Sequence, residues 1–129
     1  MIRLLRIARR SACAALLAVV VSTNASATTY CEGLVTSVGI DSDGQFLVSV
    51  NNFGVWSICN LKAAFVGNGV NFAPETCRAW YASVLAAQKA GTSVMLYFST
   101  SAEAYNGAAC TGIGSWVVPN PSPYYLLAK

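Results

Sequence analysis

Along residues 34–50 the hydrophobic positions recur every second residue. In LVTSVGI, Leu34, Thr36, Val38 and Ile40 fall on one face and Val35, Ser37 and Gly39 on the other; in QFLVSVN, Phe46, Val48 and Val50 share a face. A period of two predicts β-strands. Between them Asp41-Ser42-Asp43-Gly44 supplies turn chemistry, with Gly44 available for positive φ, so the two runs predict a hairpin. A second turn, Asn51-Asn52-Phe53-Gly54, leads into the β-rich VWSIC over 55–59, a third strand. The following stretch, NLKAAFVGNGVNFA over 60–73, is expected to be a loop because Gly67-Asn68-Gly69 interrupts any regular element.

The period then changes. Cys77, Trp80, Tyr81, Val84, Leu85 and Gln88 recur at helical spacing and form one mostly apolar face, which predicts a helix over 75–90. Pro74 suits the first turn, Glu75 complements the N-terminal dipole, Lys89 the C-terminal one, and Gly91 stands where a C-terminal cap belongs. Alanines at 79, 82, 86, 87 and 90 fill the other positions with strong helix formers. SVMLYFS over 93–99 returns to alternation and predicts a fourth strand. A loop over 100–114 follows, then Trp116-Val117-Val118. Pro119, Pro121 and Pro123 exclude a central strand, so 124–127 is expected as an edge strand or a docked tail. The order is β-β-β-α-β-β. In a mainly β chain with one helix, it predicts a five-stranded Greek-key barrel of the oligonucleotide/oligosaccharide-binding (OB) type.

The N-terminus alters the meaning of the composition. Arg3, Arg6, Arg9 and Arg10 precede an apolar run over 12–21 and an Ala25-Ser26-Ala27 site, the layout of a secretory leader cleaved after Ala27. The expected organisation is a signal peptide over 1–27 and a single domain over 28–129, secreted or periplasmic. The apolar run is too short for a convincing membrane span, and no later run is long enough for one. The whole chain carries a formal charge of +3, but beyond the leader Lys62, Arg78, Lys89 and Lys129 stand against Glu32, Asp41, Asp43, Glu75 and Glu103. The domain is therefore net −1, which offers no basic surface to nucleic acid or to an anionic membrane.

Cys31, Cys59, Cys77 and Cys110 are even in number and follow an export signal, so two disulfides are expected. The wide spacing of these cysteines and the absence of histidine exclude a zinc site, and without histidine a nucleophilic Cys77 has no obvious base. Asp41-x-Asp43-Gly44 invites calcium, but position 52, where an EF-hand loop needs glutamate, is asparagine, so turn chemistry is the better account. Five scattered carboxylates and no G-x-S-x-G motif argue against catalysis, and no cofactor is implied.

About 100 exported, disulfide-bonded residues in this order resemble the receptor-binding B subunits of bacterial toxins with one A and five B subunits, most nearly the subtilase-cytotoxin type. The resemblance rests on Tyr30-Cys31 before the first strand, Ile58-Cys59 closing the third, the helix over 75–90, and the exit Ala90-Gly91-Thr92-Ser93-Val94 into the fourth. It implies a homopentamer that binds cell-surface glycans and partners an exported A-type subunit; no sugar-contact residue is carried over. Of the three possible cysteine pairings, Cys59 with Cys77 is favoured, because one ends a strand and the other opens the helix after a short loop, leaving Cys31 with Cys110.

A glycan site needs aromatic faces and neighbouring hydrogen-bonding groups. Trp56, Trp80 and Trp116 are the tryptophans. Trp80, on the apolar helix face, is expected in the core, while Trp56 adjoins the 51–54 turn. The expected ligand contacts are Trp56, Asn51 and Asn52, with Tyr105 and Asn106 from the loop before Cys110, and Tyr124-Tyr125 expected to seal the barrel. The expected function is a non-catalytic glycan-binding module of the toxin-B kind. The alternative is a monomeric structural or inhibitory protein that binds another protein through the loop over 63–73.

Overall fold

The structure, a computed structural model, describes residues 28–129; the expected leader over 1–27 lies outside the described residues. In chain order come β1 (Thr29–Ile40), β2 (Gln45–Val50), β3 (Val55–Asn60), β4 (Phe65–Gly67), β5 (Val70–Phe72), α1 (Pro74–Ala90), β6 (Ser93–Phe98), two 3-10 helices (Glu103–Tyr105 and Gly107–Ile113) and β7 (Tyr125–Ala128). The described residues are mainly β with one α-helix. Five strands form an antiparallel sheet in the order β3-β2-β1-β6-β7, and β4 and β5 form a separate hairpin.

β1 belongs to both halves of the sheet. Residues 29–34 pair with β6, and residues 35–40 pair with β2. Where the strand changes partner, Val35 lies opposite Val50 and Ser37 opposite Ser49, leaving Thr36 as an extra residue. A one-residue bulge reverses the alternation of faces. Before it Cys31, Gly33 and Val35 are buried; after it Val38 packs on the core. The expected shared face of Leu34, Thr36, Val38 and Ile40 is thereby corrected, since Leu34 is 53% and Ile40 46% exposed. The Thr36 hydroxyl occupies the bulge, 3.2 Å from the Ser49 carbonyl, 3.0 Å from Ser49 Oγ and 3.1 Å from the Asn51 carbonyl.

A second correction falls on residues 60–73, which contain the β4–β5 hairpin. Asn68 (φ 50°) and Gly69 (φ 82°) both take the left-handed conformation of a two-residue type I′ turn. The hairpin is anchored by Phe72, whose ring lies 4.8 Å from Trp80, and by Asn68, whose Nδ2 donates to the Pro119 carbonyl (3.1 Å).

α1 begins with Pro74 and ends at Gly91, whose N–H donates to Gln88 O at 3.3 Å while Thr92 N–H donates to Ala87 O at 3.0 Å. Its inward face is the expected one with Ala87 added: Cys77, Val84 and Ala87 are buried, and Trp80 and Tyr81 pack partly buried on the core. The Tyr81 ring meets Phe46 edge-on at 5.3 Å. Beneath the helix, Trp56, Phe46, Phe98, Ile58, Leu96 and Val48 are fully buried. The disulfides are Cys31–Cys110 and Cys59–Cys77, the favoured pairing. Such bonds belong to an oxidising compartment outside the cytosol. Among the described residues no helix is long and apolar enough to cross a membrane.

The end of the chain touches both edges of the sheet. Residues 116–117 run parallel to β3 in a bridge between Trp56 and Val117, with Trp116 N–H donating to Val55 O (2.7 Å) and Ser57 N–H to Val117 O (2.9 Å). A strap with buried Pro119, Ser122 and Pro123 then crosses to β6, where β7 pairs as the expected edge strand.

Candidate functional site

The five residues expected to contact ligand sit in the framework or apart from it. Trp56 is 0% exposed. Its indole Nε1 donates to the Gly114 carbonyl at 2.9 Å, its ring stacks on Phe53 at 6.2 Å, and its edge meets Phe98 at 6.4 Å. No face of it remains for a sugar, because β3 turns this position inward. Asn51 (φ 47°) is a clasp: its Oδ1 accepts from Leu34 N–H (2.8 Å) and its Nδ2 donates to Glu32 O (3.4 Å), tying β1 to the β2–β3 turn. Asn52 is exposed in the same turn, and Asn106 is exposed between the two 3-10 helices. Tyr105 is half-buried; its ring packs on Phe98 at 4.8 Å, and its hydroxyl donates to Asn120 O (2.6 Å) and accepts from Asn120 N–H (3.0 Å). A row of rings, Phe53, Trp56, Phe98 and Tyr105, therefore joins the two expected clusters through the core.

What this row supports is the segment that displays Trp116. Trp56 holds Gly114, the Ser115 hydroxyl accepts from Val55 N–H at 3.0 Å, and Tyr105 clamps Asn120 beyond the other end. Between these anchors Trp116 is fixed at φ 60° with its side chain 76% exposed. Left-handed backbone is unusual for a bulky residue and costs about 1–2 kcal/mol. The hydrogen bonds of Trp116 N–H and Val117 O to β3 offset that strain, and they leave the large indole in solvent.

The indole borders a shallow groove of about 340 Å³ lined by Asp41, Gln45, Leu47, Ser57, Val117 and Val118. Its polar groups are held in place. Asp41 Oδ1 accepts N–H bonds from Asp43 (2.9 Å) and Gln45 (2.8 Å), which locks the β1–β2 turn. Ser57 Oγ donates to Gln45 Oε1 at 2.9 Å, and Gln45 Nε2 makes no hydrogen bond among the described residues. The groove thus presents an aromatic face, an apolar floor at Leu47 and Val118, a carboxylate and an amide donor. Its one side-chain hydroxyl, that of Ser57, donates to an amide oxygen and not to a base.

Two other grooves are less equipped. One, of about 380 Å³, lies among Thr28, Gly69, Ser99 and Tyr124; the other, about 330 Å³, lies between α1 and the C-terminus, lined mostly by alanines. Among the described residues no three His, Cys, Asp or Glu side chains gather as a metal site. The strongest charge contact lies elsewhere: the Lys129 ammonium hydrogen-bonds Glu32, holding that carboxyl below its usual 4.5 and raising the Lys129 ammonium above its usual 10.5.

Sequence reasoning passes over Trp116 in favour of Trp56. The local signal was a tryptophan placed between the Gly-rich TGIG and a proline-spaced strap, a setting in which backbone conformation, not strand alternation, decides where the side chain points. No protein-family model matches the chain, and no curated protein or solved structure matches it significantly.

Proposed function

We propose that the protein is a non-catalytic binding module that recognises a glycan at the Trp116 groove, built on a five-stranded barrel of the OB type. The order β3-β2-β1-β6-β7, the shared β1, the helix before β6 and the parallel bridge of residue 117 to β3 support that fold. Barrels of this type hold ligands on their second and third strands and adjoining loops, which is where Gln45, Leu47, Ser57 and Asp41 lie.

The observation that carries the reading is the display of Trp116, a large aromatic face kept in solvent on strained backbone beside a fixed carboxylate and amide. The apolar face of a pyranose covering half of that indole, about 100 Å², contributes roughly 2.5 kcal/mol, or about 70-fold in affinity. Trp116→Ala should lose that much binding to glycans selected on an array, with an unchanged circular dichroism spectrum; unchanged affinity would remove the groove from the function.

The reading places the protein in the periplasm or the secreted medium. A ring of five with an exported A-type subunit, as the toxin resemblance implies, would have the native mass of five subunits by light scattering. A monomeric mass would favour the second reading, an inhibitory module docking another protein through the β4–β5 hairpin, whose Val66 is 72% exposed.

A further inference from the structure

We infer that the Trp116 groove selects an uncharged glycan and discriminates against acidic ones. The inference rests on the glycan reading and follows from the charge inventory of the lining. Among the described residues, Asp41 is the only ionisable one that lines the groove, with no lysine or arginine in the lining. Lys62, on the neighbouring turn, is not part of the lining: its ammonium is drawn to the Ser42 carbonyl at 2.8 Å. Recognition of a carboxylate or sulfate draws on cationic or convergent N–H donors, whereas the donors that the groove's described side chains offer are neutral, the Gln45 amide and the Trp116 indole N–H. The Asp41 carboxylate and the Gln45 amide instead form an acceptor and a donor four residues apart, joined through the Gln45 N–H bond to Asp41 Oδ1. That arrangement suits adjacent sugar hydroxyls, which both donate and accept, while the ring's apolar face lies on Trp116.

An anionic group brought near Asp41 meets like charge. At a separation of about 4 Å this weakens binding by roughly fivefold in bulk-water dielectric and by far more in a less polar groove, so a tenfold preference for the neutral ligand is the expected scale. Exposed charges are screened by salt, so the preference should narrow at high ionic strength.

The test uses the oxidised domain and two pairs of probes differing chiefly in charge: lactose with 3′-sialyllactose, and chitotriose with a sulfated chitotriose. Isothermal titration is run on wild type, Trp116→Ala and Asp41→Asn. Asparagine retains the Oδ1 acceptor for the 43 and 45 amides, so it removes the charge and keeps the turn. The expected result is binding of a neutral probe that Trp116→Ala abolishes, with its acidic counterpart at least about tenfold weaker and the gap closing in Asp41→Asn. Acidic probes binding as well as neutral ones, through Trp116, would overturn the selectivity and leave the glycan reading standing. Binding of no probe of either class, or binding indifferent to Trp116→Ala, would overturn the glycan reading itself.

Discussion

Replacing Trp116 by asparagine separates what this residue costs the fold from what it provides at the surface. Left-handed backbone penalises a bulky L-residue by about 1–2 kcal/mol, and asparagine tolerates that conformation far better. The side chain given up is 76% exposed. Roughly 60 Å² of buried indole, about 1.5 kcal/mol, is therefore lost. The two effects nearly cancel, and Trp116→Asn should lie within about 1 kcal/mol of wild type. Trp56 makes the contrast. It is wholly buried and hydrogen-bonded to Gly114 O. Trp56→Phe leaves that carbonyl without its donor, at about 1–3 kcal/mol, and Trp56→Ala adds a cavity for a total of about 3–5 kcal/mol. Urea titrations of the oxidised proteins, followed by far-ultraviolet circular dichroism, give the order directly. At roughly 6 °C per kcal/mol for a domain of this size, Trp116→Asn leaves Tm within about 6 °C, whereas Trp56→Phe lowers it by about 6–18 °C. A loss above about 2.5 kcal/mol for Trp116→Asn, on the scale of a core truncation, would mean that the indole packs into the fold and that the groove does not display it.

Three further outcomes follow from the framework. In the chain-entropy account, Cys31–Cys110 with its 79-residue separation contributes about 4.5 kcal/mol and Cys59–Cys77 with 18 about 3.2 kcal/mol, so the double serine variant of the first pair should unfold at lower urea than that of the second; the reverse order would count against loop closure as the dominant effect. Gly33→Ala brings a Cβ to 2.1 Å from Asn51 Nδ2 and must expel the clasp that receives Leu34 N–H, costing about 2 kcal/mol or more through the lost bond and a displaced turn; near-neutral stability would show that the clasp carries no weight. The hydrogen bond from Lys129 depresses the Glu32 carboxyl below 4.5. Its contribution to stability is therefore complete above that pH and is lost as pH falls through the lower folded value. In a nuclear magnetic resonance titration the Glu32 midpoint should rise toward 4.5 in Lys129→Ala, and an unmoved midpoint would refute the pairing.

The parts of this fold written in local chemistry were legible. Alternation around Phe46, Val48 and Val50 and the helical spacing from Cys77 to Gln88 depend on neighbours a few residues away, and both elements formed as expected. The disulfides were legible because Cys59 and Cys77 flank one short connection. The bulge at Thr36 was not, since it arises where β1 leaves β6 for β2, a change of partner set by strands far along the chain. The β4–β5 hairpin carried its own signal, Asn68-Gly69 between VG and VN. Strands of three residues are too short to show a period, however, so the glycines read only as breakers.

The expected ligand contacts and the proposed groove differ for a related reason. Both Trp56 and Trp116 adjoin turn residues, and by composition either could meet a ligand. Their roles separate only when residue 117 bridges to β3, a contact between positions 61 residues apart in sequence. That bridge seals Trp56 beneath the chain end, where Gly114 O takes its N–H, and forces Trp116 to φ 60° with its ring in solvent. The same hydrogen bonds make one tryptophan core and the other surface, so burial of the first supports exposure of the second. Loosening the Trp56 packing should therefore weaken binding at Trp116 without touching the groove lining, through the position of the 114–117 segment. A Trp56→Phe variant that stays folded but binds glycan less tightly, with Asp41 and Gln45 unchanged, is the expected sign of that coupling; undiminished affinity would show that the strap holds Trp116 by itself.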